Sequence, residues 1–203
     1  MNRHALDALE FDRVLEIVAG YATSELGTEA VRALQPVPEP QAVAATLDEV
    51  DEMVSWLIRD ESWAPPFIPD IRGPLNRLDL EGSVWSESEL VGALRLLVGA
   101  RSARRSLLPQ SSQFRRLGEL ASGLLKDETL QGRLAEALDE EAEILKDSAS
   151  PELKRLRRAI RVARSELVQL LEGISAGLPE RFAVPDASVT LRGGRYCIPI
   201  RRE

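Results

Sequence analysis

A chain of 203 residues with 44% hydrophobic content is long enough to bury one sizeable core, with an appendage beside it. Aromatic residues make up only 4%, while Leu, Ala, Glu and Arg dominate, which favours packed helices and disfavours an all-β fold. The formal net charge is −7, and no secretory signal or membrane-spanning run is present, so the sequence predicts a cytoplasmic protein without a membrane partner. The single cysteine, Cys197, excludes an intrachain disulfide.

The charge is distributed unevenly along the chain. Residues 1–150 carry a formal charge of −12, whereas residues 151–203 carry +5. An acidic body repels other polyanions, so any contact with nucleic acid is expected in the C-terminal part of the chain.

Three helices are predicted in the first 60 residues. The first covers about residues 9–19, and the second covers about residues 24–34 with Ser24 as its cap. Pro40 fits the first turn of the third helix. Apolar residues recur along this third helix in steps of three and four, which predicts that it packs along another helix through Val43, Leu47, Val50, Val54 and Leu57.

Further helix signals follow the proline-rich connection at residues 60–70. Asp70 is predicted to cap a short helix, and Ser86 with Glu89 forms a capping box at the start of a longer one. Arginines near the end of that longer helix are explained by the negative end of the helix dipole. Two more helices are expected at about 112–124 and 127–138. The acidic residues between 139 and 143 then predict a solvated turn rather than a magnesium site, because no other polar cluster converges with them.

A long helix is predicted from Ser150 to beyond Ile174. Ser150 can cap it, and Pro151 lacks the amide that would otherwise be unsatisfied there. Apolar residues at heptad spacing define what we call the apolar seam, which the preceding helices are expected to bury. The seam consists of Leu153, Leu156, Ile160, Ala163, Leu167, Leu170 and Ile174.

Basic residues follow one flank of the same helix. At about 100° per residue, they form a stripe beside the apolar seam. Guanidinium groups suit phosphate oxygens, so the stripe is a candidate nucleic-acid site, although a solvated helix face would have the same composition. The candidate residues are Arg157, Arg158, Arg161 and Arg164 on the helix, with Arg192 and Arg195 further along the chain.

The hydrophobic period changes after Gly177. Apolar residues alternate on both sides of Gly193 and Gly194, which predicts two strands joined by a two-residue turn. A two-stranded ribbon is only marginally stable alone, so the chain is expected to be a fragment of a longer protein.

The sequence does not contain a recognisable set of catalytic residues. Each of the lysines Lys126, Lys146 and Lys154 follows a leucine, whereas a phosphate loop of the Walker type places glycine there. One histidine and one cysteine provide neither a metal cage nor a nucleophile pair. We therefore predict no catalytic residue, metal site or cofactor in this chain.

Three stretches resemble the N-terminal part of the type-two branch of the bacterial MutS family. They are LEFDRVLEIVAGYATSELG, DSASPELKRLRRAIR and VTLRGGRYCIPIRR, and their order and spacing also agree with that family. The resemblance implies a mainly α fold: a helical core bundle at residues 1–149, a long lever helix at 150–178, and the truncated start of a clamp domain, with a β-hairpin, at 179–203. Ala142 departs from the family, which often has a turn glycine there.

The resemblance also implies what the longer parent does. It would be a dimeric ATPase that binds ATP and magnesium outside this chain and carries a C-terminal Smr nuclease domain. The implied function of this region is to transmit the nucleotide state to a clamp on branched or mismatched DNA, with suppression of recombination. The alternatives are a region of a ribosome-splitting or rescue factor that contacts rRNA, and a plain helical interaction scaffold.

Overall fold

The computed structural model describes residues 3–184 and 188–201, and its chain divides into two compact units. The first unit ends at Leu145 and the second begins at Lys146. Helices account for most of the described residues, and the strands form two small antiparallel hairpins. The prediction of a mainly α fold with a C-terminal hairpin is therefore confirmed.

The first unit consists of eight helices and one short hairpin within the described residues. Its first four helices are α1 (Arg3–Ala8), α2 (Phe11–Ala19), α3 (Glu25–Arg32) and α4 (Pro40–Arg59). The next four are α5 (Arg72–Arg77), α6 (Glu87–Leu107), α7 (Arg115–Gly123) and α8 (Glu128–Ala137). Strand β1 (Leu138–Asp139) pairs antiparallel with β2 (Ile144–Leu145).

The second unit contains the long helix and the C-terminal hairpin. A 3₁₀ turn at Asp147–Ala149 leads into α9 (Pro151–Ala176), which is followed by β3 (Thr190–Arg192) and β4 (Arg195–Cys197). The prediction that residues 179–203 begin a clamp domain stays a prediction, and residues 185–187 and 202–203 lie outside the described part of the chain.

Side-chain caps begin α3, α6, α8 and α9 where the sequence indicates a helix start, whereas α5 begins after Ile71 without a side-chain cap, one residue later than the predicted cap Asp70. Ser86 Oγ accepts a hydrogen bond from the Glu89 amide, and the Glu89 carboxylate accepts one from the Ser86 amide at 2.8 Å, which completes the capping box. Ser24, Asp127 and Ser150 likewise accept hydrogen bonds from amides in the first turns of α3, α8 and α9. Each cap satisfies an amide that has no partner within its helix.

The larger core cluster of the first unit is partly aromatic. Trp56 on α4 packs edge-on against Phe114 and Trp63, with ring centroids 5.9 and 6.1 Å away. Leu117 on α7 completes the contact and is only 2% exposed. The Leu117 amide donates to a carboxylate oxygen of Glu52 on α4 at 3.0 Å, so α4 also caps the first turn of α7.

A second cluster places the short hairpin against α6. Val91 and Leu94 on α6 pack with Leu138 at the end of α8. The sequence predicted only a solvated turn after Leu138, and the two strands of this hairpin were missed. In the turn, Glu143 has a positive φ of 51°, a conformation that glycine adopts more easily.

Two apolar stripes are exposed, contrary to the sequence-based expectation. Five seam residues on α9 (Leu156, Ile160, Leu167, Leu170 and Ile174) are 40–62% exposed, and no described residue of α9 is buried. The expectation that this chain buries the seam is therefore wrong. The predicted stripe on α4 is also 40–61% exposed, because α4 contacts the core through Met53 and Trp56 on a different face.

An exposed ion pair links α3 to α5 and gives a testable dependence on pH. Arg72 donates to Asp70 at 2.6 Å and to Glu29 at 2.7 Å. The hydrogen bonds from Arg72 lower the pKa of Asp70 from its usual 3.8 to about 2. A carboxyl with a lowered folded-state pKa stabilises the fold above its unfolded pKa, and this stabilisation is lost as the pH falls through the folded-state pKa.

We expect Asp70→Asn to reduce the free energy of unfolding at about pH 5, and the deficit relative to wild type to shrink as the pH falls towards about 2. Urea titrations across this range measure the deficit. Asp79→Asn is the control, because Asp79 is exposed and has no side-chain partner among the described residues. A deficit that stays constant with pH would show that the Asp70–Arg72 pair does not stabilise the fold through the Asp70 charge.

Candidate nucleic-acid interface

Helix α9 positions four of the six predicted arginines. Its 26 residues give a rod of about 39 Å at about 1.5 Å per residue. Arg157, Arg158, Arg161 and Arg164 lie in its N-terminal and middle turns, and about 10 Å along the helix axis separates the first of them from the last. This length matches about three phosphates along one strand of a duplex.

Asp147 brings two of these arginines together. Its carboxylate lies 2.9 Å from Arg157 Nη1 and 3.5 Å from Arg161 Nη1, just before the start of α9. The hydrogen bond from Arg157 is the main cause of the lowered pKa of Asp147, and the charge of Arg161 adds to it. Asp147 therefore neutralises part of the basic stripe.

This role of Asp147 could not be predicted from the sequence, because the helical spacing rule does not apply across a helix start. Asp147 and Arg157 are ten residues apart, and Asp147 lies outside α9. The available signal was an acidic residue placed shortly before a run of arginines, at the positive end of the helix dipole.

Two arginines of α9 keep their charge available to a ligand. The side chains of Arg158 and Arg164 are exposed and form no ion pair or hydrogen bond with any described residue. They differ in this respect from Arg155, whose Nε donates to Glu152 at 3.0 Å.

The C-terminal hairpin places two more arginines opposite each other. Arg192 on β3 and Arg195 on β4 are direct partners in the antiparallel ladder, with Gly193 and Gly194 between them at positive φ. Both arginines are exposed, and neither guanidinium group has an ion-pair partner in the described chain. Like charges directly opposite in a sheet are destabilising, and a bound anion relieves that repulsion.

The described residues do not provide the side chains for a metal site or a membrane span. Residues 3–184 and 188–201 contain no group of three or more His, Cys, Asp or Glu side chains placed to hold a metal ion. None of the helices described for this chain combines the length and the apolar character needed to cross a bilayer.

Comparison with known proteins assigns the family. No family model matches the chain. Over its whole length, however, it is 37% identical to Endonuclease MutS2 of Gemmatimonas aurantiaca, 32% to that of Geobacillus thermodenitrificans and 31% to the Putative endonuclease MutS2 of Bacillus subtilis. It spans about a quarter of the length of these relatives, 25% of the first and 26% of the other two. The chain therefore belongs to the MutS2 family.

Proposed function

We propose that this chain is the non-catalytic core and lever region of a dimeric MutS-type ATPase that binds branched or mismatched DNA and suppresses recombination. In this proposal α9 is the lever, which transmits the nucleotide state to a clamp, and the basic residues contact phosphates. ATP and magnesium would bind in another part of the parent protein. The name of the relatives, Endonuclease MutS2, supports placing nuclease activity in the parent as well, outside these residues.

The observation that carries this proposal is the set of unpaired arginines in the second unit. Arg158, Arg164, Arg192 and Arg195 are exposed cations without ion-pair partners among the described residues. The surrounding sequence is net positive, whereas residues 1–150 are strongly acidic. Contacts of this kind favour phosphates without reading base sequence.

Two alternatives lead to different expectations. A ribosome-associated region would use the same arginines on structured rRNA, so duplex DNA and structured RNA must be compared directly. A helical scaffold is favoured by one observation, the exposed apolar seam of α9. Apolar pairing of helices is weakly affected by salt, whereas phosphate binding weakens steeply as salt rises.

The test uses two double variants with the same charge change on the same helix. We expect Arg158→Gln/Arg164→Gln to weaken binding to a DNA duplex and to reduce the slope of log K against log salt by about two, because two phosphate contacts are lost. The matched control is Arg157→Gln/Arg161→Gln, whose arginines already pair with Asp147 and should contribute less. Wild-type affinity is expected at about 10⁻⁴ M or weaker.

Fluorescence anisotropy of labelled duplex DNA and of labelled structured RNA, each at several salt concentrations, provides the measurement. Equal effects of the two double variants would show that pairing with Asp147 does not decide which arginines bind. An unchanged salt slope in Arg158→Gln/Arg164→Gln would contradict phosphate contact by this helix face. Stronger binding to RNA would favour the ribosomal alternative.

A further inference from the structure

We infer that the first unit contains a second anion site, a pocket for a phosphate group at the C-terminal end of α6. This inference goes beyond the proposed function, because no residue of α9 or of the C-terminal hairpin takes part. The cavity has a volume of about 500 Å³, within the usual range for ligand pockets. Its lining includes one carboxylate, Glu128, and four cations, Arg101, Arg104, Arg105 and Lys126.

The local sequence leaves the three arginines of the pocket without acidic neighbours. Residues 90–118 contain six arginines and no aspartate or glutamate, although residues 1–150 as a whole carry −12. Other arginines of this stretch reach carboxylates outside it: Arg95 lies 2.9 Å from Glu143, and Arg115 pairs with Glu119. Arg101 and Arg105 are exposed and pair with no described residue.

Arg104 has a structural role that separates it from its neighbours. Its Nη1 atom donates to the backbone carbonyls of Ala121, Ser122 and Leu124, at 3.1, 2.7 and 3.3 Å. The first two carbonyls lie in the last turn of α7 and the third belongs to its C-cap residue Leu124, whose amide also donates to the Ala121 carbonyl at 3.3 Å. Arg104 therefore ties α6 to the end of α7.

Arg101 and Arg105 form no such hydrogen bonds with backbone carbonyls of the described residues. They are four residues apart on α6, so their like charges face each other and destabilise the helix slightly. A ligand anion that receives hydrogen bonds from both guanidinium groups removes this repulsion. The helix dipole favours Arg105 in the last turn of α6, but Arg101 lies outside that turn, so a ligand explains the pair better than helix stability alone.

A phosphate fits this arrangement better than a single carboxylate does. Two guanidinium groups and the Lys126 ammonium offer more charge than one carboxylate neutralises, and guanidinium groups pair well with phosphate oxygens. Lys126 and Glu128 are 3.6 Å apart and exposed, and such a pair is weak enough to yield to a more highly charged ligand. The phosphate can come from a small phosphorylated compound or from a nucleic-acid strand.

The experiment follows the arginine side-chain N–H resonances of the isotope-labelled 203-residue protein by NMR. Single substitutions assign the resonances, and pyrophosphate and a thymidine oligonucleotide serve as separate probes. We expect the Arg101 and Arg105 resonances to shift saturably with pyrophosphate at low salt. In Arg105→Gln, the affinity reported by Arg101 should fall roughly fivefold, since one exposed charge-assisted contact is removed.

Arg133→Gln is the matched control, because Arg133 is an exposed arginine of the same unit that has no partner among the described residues and does not line the pocket. It should leave the affinity reported by Arg101 unchanged. Shifts with pyrophosphate alone would identify a small phosphorylated ligand, and shifts with the oligonucleotide would identify strand phosphates.

The inference is overturned if neither probe shifts the Arg101 and Arg105 resonances saturably, or if Arg105→Gln binds as tightly as wild type. Failure of the proposed function is distinguishable from failure of this inference. Arg158→Gln/Arg164→Gln should keep the pyrophosphate response at Arg101 whatever its effect on duplex binding.

Discussion

Leu117→Ala is expected to lower the free energy of unfolding of the first unit by about 2–5 kcal/mol. The Leu117 side chain belongs to the larger core cluster together with Trp56 and Phe114 and is only 2% exposed. Truncation removes buried methyl groups and leaves a cavity that two large rings cannot easily fill. Urea-induced unfolding, followed by tryptophan fluorescence, measures the loss.

The control for this prediction lies on the same helix and has the same chemistry. Leu120 on α7 is 57% exposed, so Leu120→Ala should change the free energy of unfolding by no more than about 0.5 kcal/mol. Similar losses for the two variants would mean that α7 does not bury its Leu117 face. The prediction concerns one leucine against another, so helix propensity contributes equally to both.

The helix starts could be predicted because their signals are local. Ser86 and Glu89 satisfy each other's amides across a single turn, so the sequence alone identifies the beginning of α6. Ser150 and Pro151 specify the start of α9 in the same way. The hairpin could be predicted in the same way, because its turn needs positive φ at two positions and the sequence has Gly193 and Gly194 there.

The faces that helices bury could not be predicted with the same success. Val54 and Trp56 are two residues apart on α4, and the heptad pattern predicted that the face with Val54 is the buried one. The structure buries Trp56 instead, because its ring packs against Phe114, which lies far away in the sequence, and against Trp63, in the connection just after α4. Periodicity identifies an apolar face but does not identify what covers it.

At the candidate interface, too, some features follow from neighbouring residues in the sequence and others only from the folded structure. The residue types and the helical flank of Arg158 and Arg164 were readable from spacing alone. The ion pair between Arg157 and Asp147 could not be predicted from spacing, because it joins a residue of a turn to a helix residue ten positions later. The structure was also needed to distinguish Arg104, whose guanidinium group donates to a carbonyl at the end of α7, from Arg101, which has no partner in the described chain.

Val91→Asp should destabilise the first unit by more than about 4 kcal/mol and prevent its cooperative folding. Val91 on α6 has no exposed surface and packs against Leu94 and Leu138 in the second core cluster. A carboxylate placed there is buried without a charged partner, whether it ionises or takes up a proton. Circular dichroism during heating measures the loss of the helical transition.

Two controls separate burial from the mere introduction of charge. Val98→Asp changes the same residue type two turns further along α6, at a position that is 41% exposed, and should be much milder. Ile160→Asp lies in the apolar seam of α9, where the side chain is 50% exposed, and should leave the melting temperature nearly unchanged. A large loss in Ile160→Asp would mean that the seam is covered in solution, because an exposed aspartate on a helix face has no comparable cost. A comparison of the three variants at low and high protein concentration then shows whether self-association provides that cover, since the stabilisation from binding a second copy grows as the protein concentration rises.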